Sequence, residues 1–165
     1  MATLNMVLGT VETGDLGFTL SHEHVMSSSA GVRQTYPEFL DRAGAIEKAV
    51  KDLKEAYSEG LRTLIDMTTL DLGRDIRLLE EVSRRTGINI MAATGTWQDI
   101  PRVFWNAHPD RVAALYVREI EEGIEETGIK ARRARAKASV RFVLNQKPGL
   151  ESAIKEWMKI HKKLQ

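Results

Sequence analysis

The chain of 165 residues contains no cysteine. That excludes disulfides, thiolate-held zinc and a cysteine nucleophile. No excess of either charge is present: 24 basic against 23 acidic residues leave a net charge of +1, which argues for neither nucleic acid nor a membrane surface as partner. No apolar run reaches the length of a membrane span, and Met1 to Leu8 lacks a basic stretch followed by an apolar one, so the sequence reads as cytoplasmic. What is present is an ordinary globular balance, 42% apolar and 28% charged, at a length that fits one domain with a real core.

Along the chain, extended and helical patterns alternate. Met6 to Glu12 and the turn Gly14 to Gly17 suggest a strand of a small antiparallel hairpin. Phe18 to His24 follows as a strand, with Val25 to Gly31 as a loop in which serines can face a site. Ile46, Ala49, Val50, Leu53, Ala56 and Tyr57 recur at three and four residues and predict an amphipathic helix from Ala43 to a stop at Gly60. Arg62 to Met67 reads as a strand, and Asp75 as the N-cap of a helix carrying Ile76, Leu79 and Val82 inward and closing at Thr86-Gly87. Ile88 to Ala93 is a further strand. The residues from about Asp110 to Thr127 form a helix with Val112, Leu115, Tyr116, Ile120 and Ile124 on one face. Such alternation implies βαβ units on a parallel sheet, with ligands at the loops that follow the strands.

The end of the chain is less regular. Lys130 to Lys137 carries five positive charges in eight residues without an aromatic, which reads as a solvated helical face and not a nucleic-acid patch. Ala138 to Leu144 reads as a fourth strand, and Leu150, Ile154, Trp157, Met158 and His161 as the stripe of a last helix.

His22 and His24 lie two residues apart in the first main strand. In a strand, i and i+2 share a face, so both imidazoles would stand in line with Phe18 and Leu20 and could hold one metal ion. The remaining histidines do not extend the pair: His108 precedes Pro109 in an expected exposed loop, and His161 sits on an apolar stripe where packing is the ordinary role.

Thr19 to His24, Ser28 to Gly31, Tyr36 to Phe39, Asp71 to Asp75, Ala92 to Trp97 and Gly123 to Lys130 together resemble the N-terminal half of the phosphotriesterase family, metal-dependent hydrolases of the amidohydrolase superfamily. The match runs over roughly residues 6 to 131 and looks closest to the organophosphate-hydrolysing branch and its lactonase relatives. The resemblance implies an α/β fold of parallel βα units, about half of a (βα)₈ TIM barrel, with a short N-terminal antiparallel hairpin. Residues 1–165 would be one domain, 1–131 family-like and 132–165 a divergent fourth βα unit.

It further implies hydrolysis of phosphotriesters or lactones by a metal-bound hydroxide. His22 and His24 would be metal ligands, and Trp97, Leu72, Ser27 and Ser28 would line the substrate pocket. The cofactor is a divalent metal, zinc in the first instance, two ions in the family and one or none here. In the family a carboxylated lysine of the fourth strand bridges the metals, and later strands add two histidines and an aspartate. Counting forward from Ala131 puts Arg135 at the bridging position, and counting back from Pro148-Gly149 puts Phe142 there; Lys137 lies between them as the candidate. Arginine stays protonated and phenylalanine has no donor, so neither replaces the lysine. Only four strands are expected where a barrel has eight. The expected partners are therefore a small ester, lactone or phosphotriester and either a second copy or a second half-barrel, and the alternative to an enzyme is a non-catalytic half-barrel scaffold.

Overall fold

The computed structural model describes residues 2–97 and 101–133. The expected strand at 138–144, the last helix, Lys137 and His161 lie outside them. Four strands form a parallel sheet in chain order: β3 (Phe18–Glu23), β4 (Leu61–Asp66), β5 (Asn89–Thr94) and β6 (Arg132–Arg133). Ahead of them β1 (Thr3–Met6) and β2 (Gly9–Glu12) make the antiparallel hairpin. A short helix, α1 (Val32–Thr35), and then α2 (Arg42–Ser58) connect β3 to β4; α3 (Ile76–Thr86) connects β4 to β5, and α4 (Pro109–Glu121) connects β5 to β6. No helix among the described residues is long and apolar enough to cross a membrane.

The two central crossovers form for local reasons. The Asp41 carboxylate accepts from the Gly44 amide at 2.8 Å and starts α2, whose Ile46, Ala49 and Val50 are buried. Asp75 caps α3 by accepting from the Leu78 amide at 3.0 Å, and Gly87 closes that helix with its amide on the Ser83 carbonyl. Ile76, Leu79 and Val82 then pack with Ile46, Val50, Leu64 and Ile90 into one apolar core between helices and sheet. Tyr57 is turned outward from the expected apolar stripe, with the Arg62 guanidinium 4.0 Å over its ring.

Three local expectations are corrected. The chain from Met6 to Glu12 is not one strand. It turns at Val7-Leu8, because buried Val7 donates its amide to the Ile90 carbonyl at 2.8 Å and ties the hairpin to β5. The fourth helix stops at Glu121, not Thr127. Gly123 at φ +142° approaches Gly128 so closely that a Cβ would lie 2.8 Å from its Cα, and the Ile124 amide donates to the Ile129 carbonyl. Ile124 thus enters the core from a tight turn and not from a helix face. Lastly, the basic run is extended at Arg132–Arg133, where it pairs with Ala93 and Thr94 of β5, and is not helical there.

Candidate functional site

The loops following β3, β4 and β5 gather at the C-terminal edge of the sheet, the side on which parallel α/β folds bind ligands. His22 is in β3 and His24 is one residue past its end. Their rings stand 5.6 Å apart, centroid to centroid, at 70° to each other, and both residues are exposed. The expected common face with Phe18 and Leu20 does not hold along the whole strand. The β3–β4 register shifts between Phe18 and Thr19 and again between Leu20 and Glu23, so Leu20 packs on the core while Phe18 is 65% exposed.

A buried carboxylate fixes this strand end. Asp66, the last residue of β4, is fully buried. One of its oxygens accepts from the Val25 amide and the other from the Thr68 amide, both at 2.8 Å. Burial pushes its pKa up; the Val25 and Thr68 hydrogen bonds and the nearby His24 oppose that shift. The Met67 amide donates to the Glu23 carbonyl at 2.8 Å, and His24 Nδ1 lies 3.0 Å from Thr68 Oγ1. Two strand ends are thereby locked together beside the imidazole pair.

The proposed pocket residues meet around the short turn Leu70–Leu72. The Ser28 amide donates to the Leu72 carbonyl at 2.9 Å. Gly73, at φ +67°, lies against Ser28, where a Cβ would come within 2.2 Å of the serine Oγ, so only glycine allows this approach. Ser28 Oγ is consequently turned inward and makes no hydrogen bond among the described residues, whereas Ser27 is exposed. Asp71 holds the third loop: both its oxygens lie 3.0 Å from the Trp97 amide, and one accepts from the Thr69 hydroxyl at 2.6 Å. In this loop cluster Trp97 is left half exposed and Leu72 is half-buried.

Behind the cluster, Arg74 and Glu119 form a buried ion pair at 2.5 Å. Glu119 also accepts from Thr94 Oγ1, and Arg74 donates to the Ala93 carbonyl at 2.9 Å. The pair joins the end of β5 to α4. On the same helix, burial pushes the Tyr116 hydroxyl up to about 12, with the Asp71 and Glu119 carboxylates adding to the shift and a Thr96 hydrogen bond opposing it. His108, expected in a loop, is exposed and caps α4, its Nδ1 3.4 Å from the Asp110 amide.

As a metal-binding donor set, the two imidazoles are suited in kind and spacing to supply two nitrogens. Among the described residues no third histidine, cysteine or carboxylate joins them in a group fit for a metal ion. Sequence reasoning missed Asp66, Thr68 and Asp71 as supports. Asp66 had one signal, a carboxylate closing the otherwise apolar run Leu64-Ile65 at a strand end.

A model of the phosphotriesterase family matches residues 2–138 of the chain. An aryldialkylphosphatase from Saccharolobus solfataricus is 41% identical over 124 residues, covering 74% of this chain and 40% of the relative. A phosphotriesterase homology protein from Mycobacterium tuberculosis is 38% identical over 141 residues, covering 79% of this chain and 43% of its own length. A phospho-furanose lactonase from Mycoplasmopsis agalactiae is 29% identical over 147 residues, covering 81% of this chain and 40% of the relative. The chain spans about two-fifths of the length of these relatives.

Proposed function

The chain belongs to the phosphotriesterase family, and on that premise we propose that it carries the first-strand part of a metal-dependent hydrolase site for phosphotriesters or lactones. The observation that supports this best is the pair His22 and His24, 5.6 Å apart at the end of the first parallel strand and beside the Ser28–Leu72–Trp97 loops. In this reading both imidazoles would hold a divalent metal, with zinc the first choice for nitrogen donors. Such an ion, when bound, acts as a Lewis acid and lowers the pKa of coordinated water.

The chain's own residues do the positioning. Asp66 clamps the backbone on either side of the strand end, which keeps the imidazoles in place before any ligand arrives. Leu72 and the exposed ring of Trp97 offer an apolar wall to the organic part of an ester, and Ser27 offers a hydroxyl at the rim. Lys137, inside the matched range, is the candidate for a bridging role. The chain as given is expected to be weakly active or inactive by itself, since two imidazoles make half of a tetrahedral donor set.

A second reading is a half-barrel scaffold that is completed by another copy or by a separate second half. It is favoured by Phe18, exposed on a strand that pairs only with β4 among the described residues. One set of measurements separates the two: zinc content, turnover of an aryl phosphotriester and a lactone, and molar mass of the purified protein. Zinc-dependent turnover that disappears in His22→Ala supports the enzyme. A defined dimer without metal or turnover supports the scaffold.

A further inference from the structure

Between β3 and α2 runs a segment, residues 26–40, that carries Ser27 and Ser28 and has no fully buried residue. Of its apolar side chains, Met26 at one end packs partly on the core. What ties the rest to the loops beside it is polar. The Ser28 amide donates to the Leu72 carbonyl at 2.9 Å, and the Ala30 amide to the Asp71 carbonyl at a long 3.4 Å. From α1, the Arg33 guanidinium reaches two carboxylates of different loops. Its Nη1 lies 3.6 Å from Asp75 Oδ1, and its Nη2 donates to Glu125 Oε2 at 3.3 Å.

The two carboxylates stand differently. Asp75 is held without Arg33, since it accepts from Arg42 Nε at 2.7 Å and from the Leu78 amide at 3.0 Å. Glu125 has Arg33 as its one charged partner among the described residues. It sits in an unusual turn: Glu125 and Glu126 have φ of +49° and +57°, where residues other than glycine are uncommon. Such a conformation persists where its surroundings over-determine it. Here Ile124 is anchored in the core, and the Thr127 amide and hydroxyl both donate to its carbonyl, at 2.9 and 2.6 Å. The Ile129 amide in turn donates to Thr127 Oγ1 at 3.1 Å. The Glu125 carboxylate is thus offered from a fixed turn, whereas one on a loose loop would first have to be ordered.

We propose that Arg33 is a positioning residue and Glu125 its catch: the ion pair latches residues 26–40 against the neighbouring loops and so holds Ser27 and Ser28 at the pocket rim. Asp75, already fixed by Arg42, is the other wall of the socket. The latch rests on the pocket reading above for its purpose, but its existence requires neither metal nor substrate. The side chains of Arg33 and Glu125 are 28% and 40% exposed, so dissolved ions reach the pair. Part-exposed pairs of this kind shift a local equilibrium about two- to fivefold, and they weaken as salt rises. Ionic strength therefore adjusts the pocket rim, whereas the buried ladder of β4 and β5 is left as it is.

The test is amide hydrogen exchange, read by NMR on the full chain without metal or substrate. In Arg33→Gln and in Glu125→Gln the Ser28 and Ala30 amides are expected to exchange about two- to fivefold faster, with amides of β4 and β5 unchanged. The double variant should go no further than Arg33→Gln, because both substitutions remove the same contact. Raising sodium chloride from about 0.1 to about 1 M, which cuts the screening length from about 10 Å to about 3 Å, should speed the same amides in wild type and leave Arg33→Gln unmoved. Glu125→Gly, which suits the positive φ, is expected to free the segment without lowering the melting temperature, a result that a purely structural role for Glu125 would not give. Glu126→Gln, in the same turn but outside the ion pair, should change nothing. Ser28 and Ala30 exchange that stays at the wild-type rate in Arg33→Gln overturns the latch. Equal acceleration throughout β4 and β5 overturns it as well, since that is general loosening. The expected exchange pattern in a protein that neither takes up zinc nor turns over an ester supports the latch and sinks the hydrolase reading instead.

Discussion

Replacing Glu119 by glutamine tests whether the buried ion pair behind the loops carries the load its geometry implies. Its carboxylate receives two bonds from Arg74, at 3.1 and 2.5 Å, and one from Thr94 Oγ1 at 2.5 Å. The side chains of Arg74 and Glu119 are 2% and 6% exposed, so water screens neither charge. Glutamine keeps the volume and one acceptor oxygen but leaves the guanidinium charge buried and uncompensated. Removing one partner of a buried pair costs about 3–5 kcal/mol, and the retained acceptor places Glu119→Gln at the lower end. With a urea dependence of about 2 kcal/mol per molar, the unfolding midpoint should fall by about 1.5–2 M. The double variant Arg74→Met/Glu119→Leu removes both charges and should recover part of that loss. It should not recover all of it, because the Ala93 carbonyl and the Thr94 hydroxyl each lose a partner, at about 1–3 kcal/mol per unsatisfied group. A Glu119→Gln midpoint within about 0.5 M of wild type, corresponding to about 1 kcal/mol, would refute the claim that this pair fastens α4 to the end of β5.

Two further outcomes follow from the same contacts. Asp71→Ala removes the acceptor of the Trp97 amide and of the Thr69 hydroxyl, so the Trp97 amide should exchange its hydrogen at least about tenfold faster while amides of β4 keep their protection. At Asp75 burial pushes the carboxyl up, but the Arg42 hydrogen bond, the Leu78 amide and the charges of Arg33 and Arg42 outweigh it, and the folded pKa lies below the ordinary 3.8. A depressed carboxylate contributes stability that is present above the unfolded pKa and lost as pH falls through the folded one. Thermal melts of wild type should therefore decline below about pH 4, and Asp75→Asn, which keeps a helix cap, should give a flatter profile there.

The central helices were legible because their signals are local. The apolar period of Ile46, Ala49 and Val50 marks α2, Asp75 is itself the cap of α3, and Gly87 ends α3 through its own positive φ. The overrun of α4 has a different origin. Ile124 continues the helical period, and nothing local reveals that Gly123 must approach Gly128 or that Glu119 turns inward to meet Arg74, 45 residues away. Likewise, Arg132–Arg133 carries little strand propensity of its own, and it is extended because the edge of β5 accepts it. At the site, the spacing of His22 and His24 gave a pair that the fold brings side by side, whereas the register shifts that separate Phe18 from Leu20 left no mark in the residue order. Asp66, Thr68 and Asp71 were missed since their partners, Val25, His24 and Trp97, lie 26 to 44 residues away in the chain.

The most direct measurement is equilibrium dialysis against zinc of the metal-stripped wild type, His22→Ala and His24→Ala, with aryl phosphotriester and lactone turnover read on the same samples. Zinc retained by wild type and lost by both variants, with any turnover lost alongside it, is the expected result. Zinc uptake that neither substitution changes, or none in the folded wild type, would contradict the assignment of this histidine pair as metal ligands.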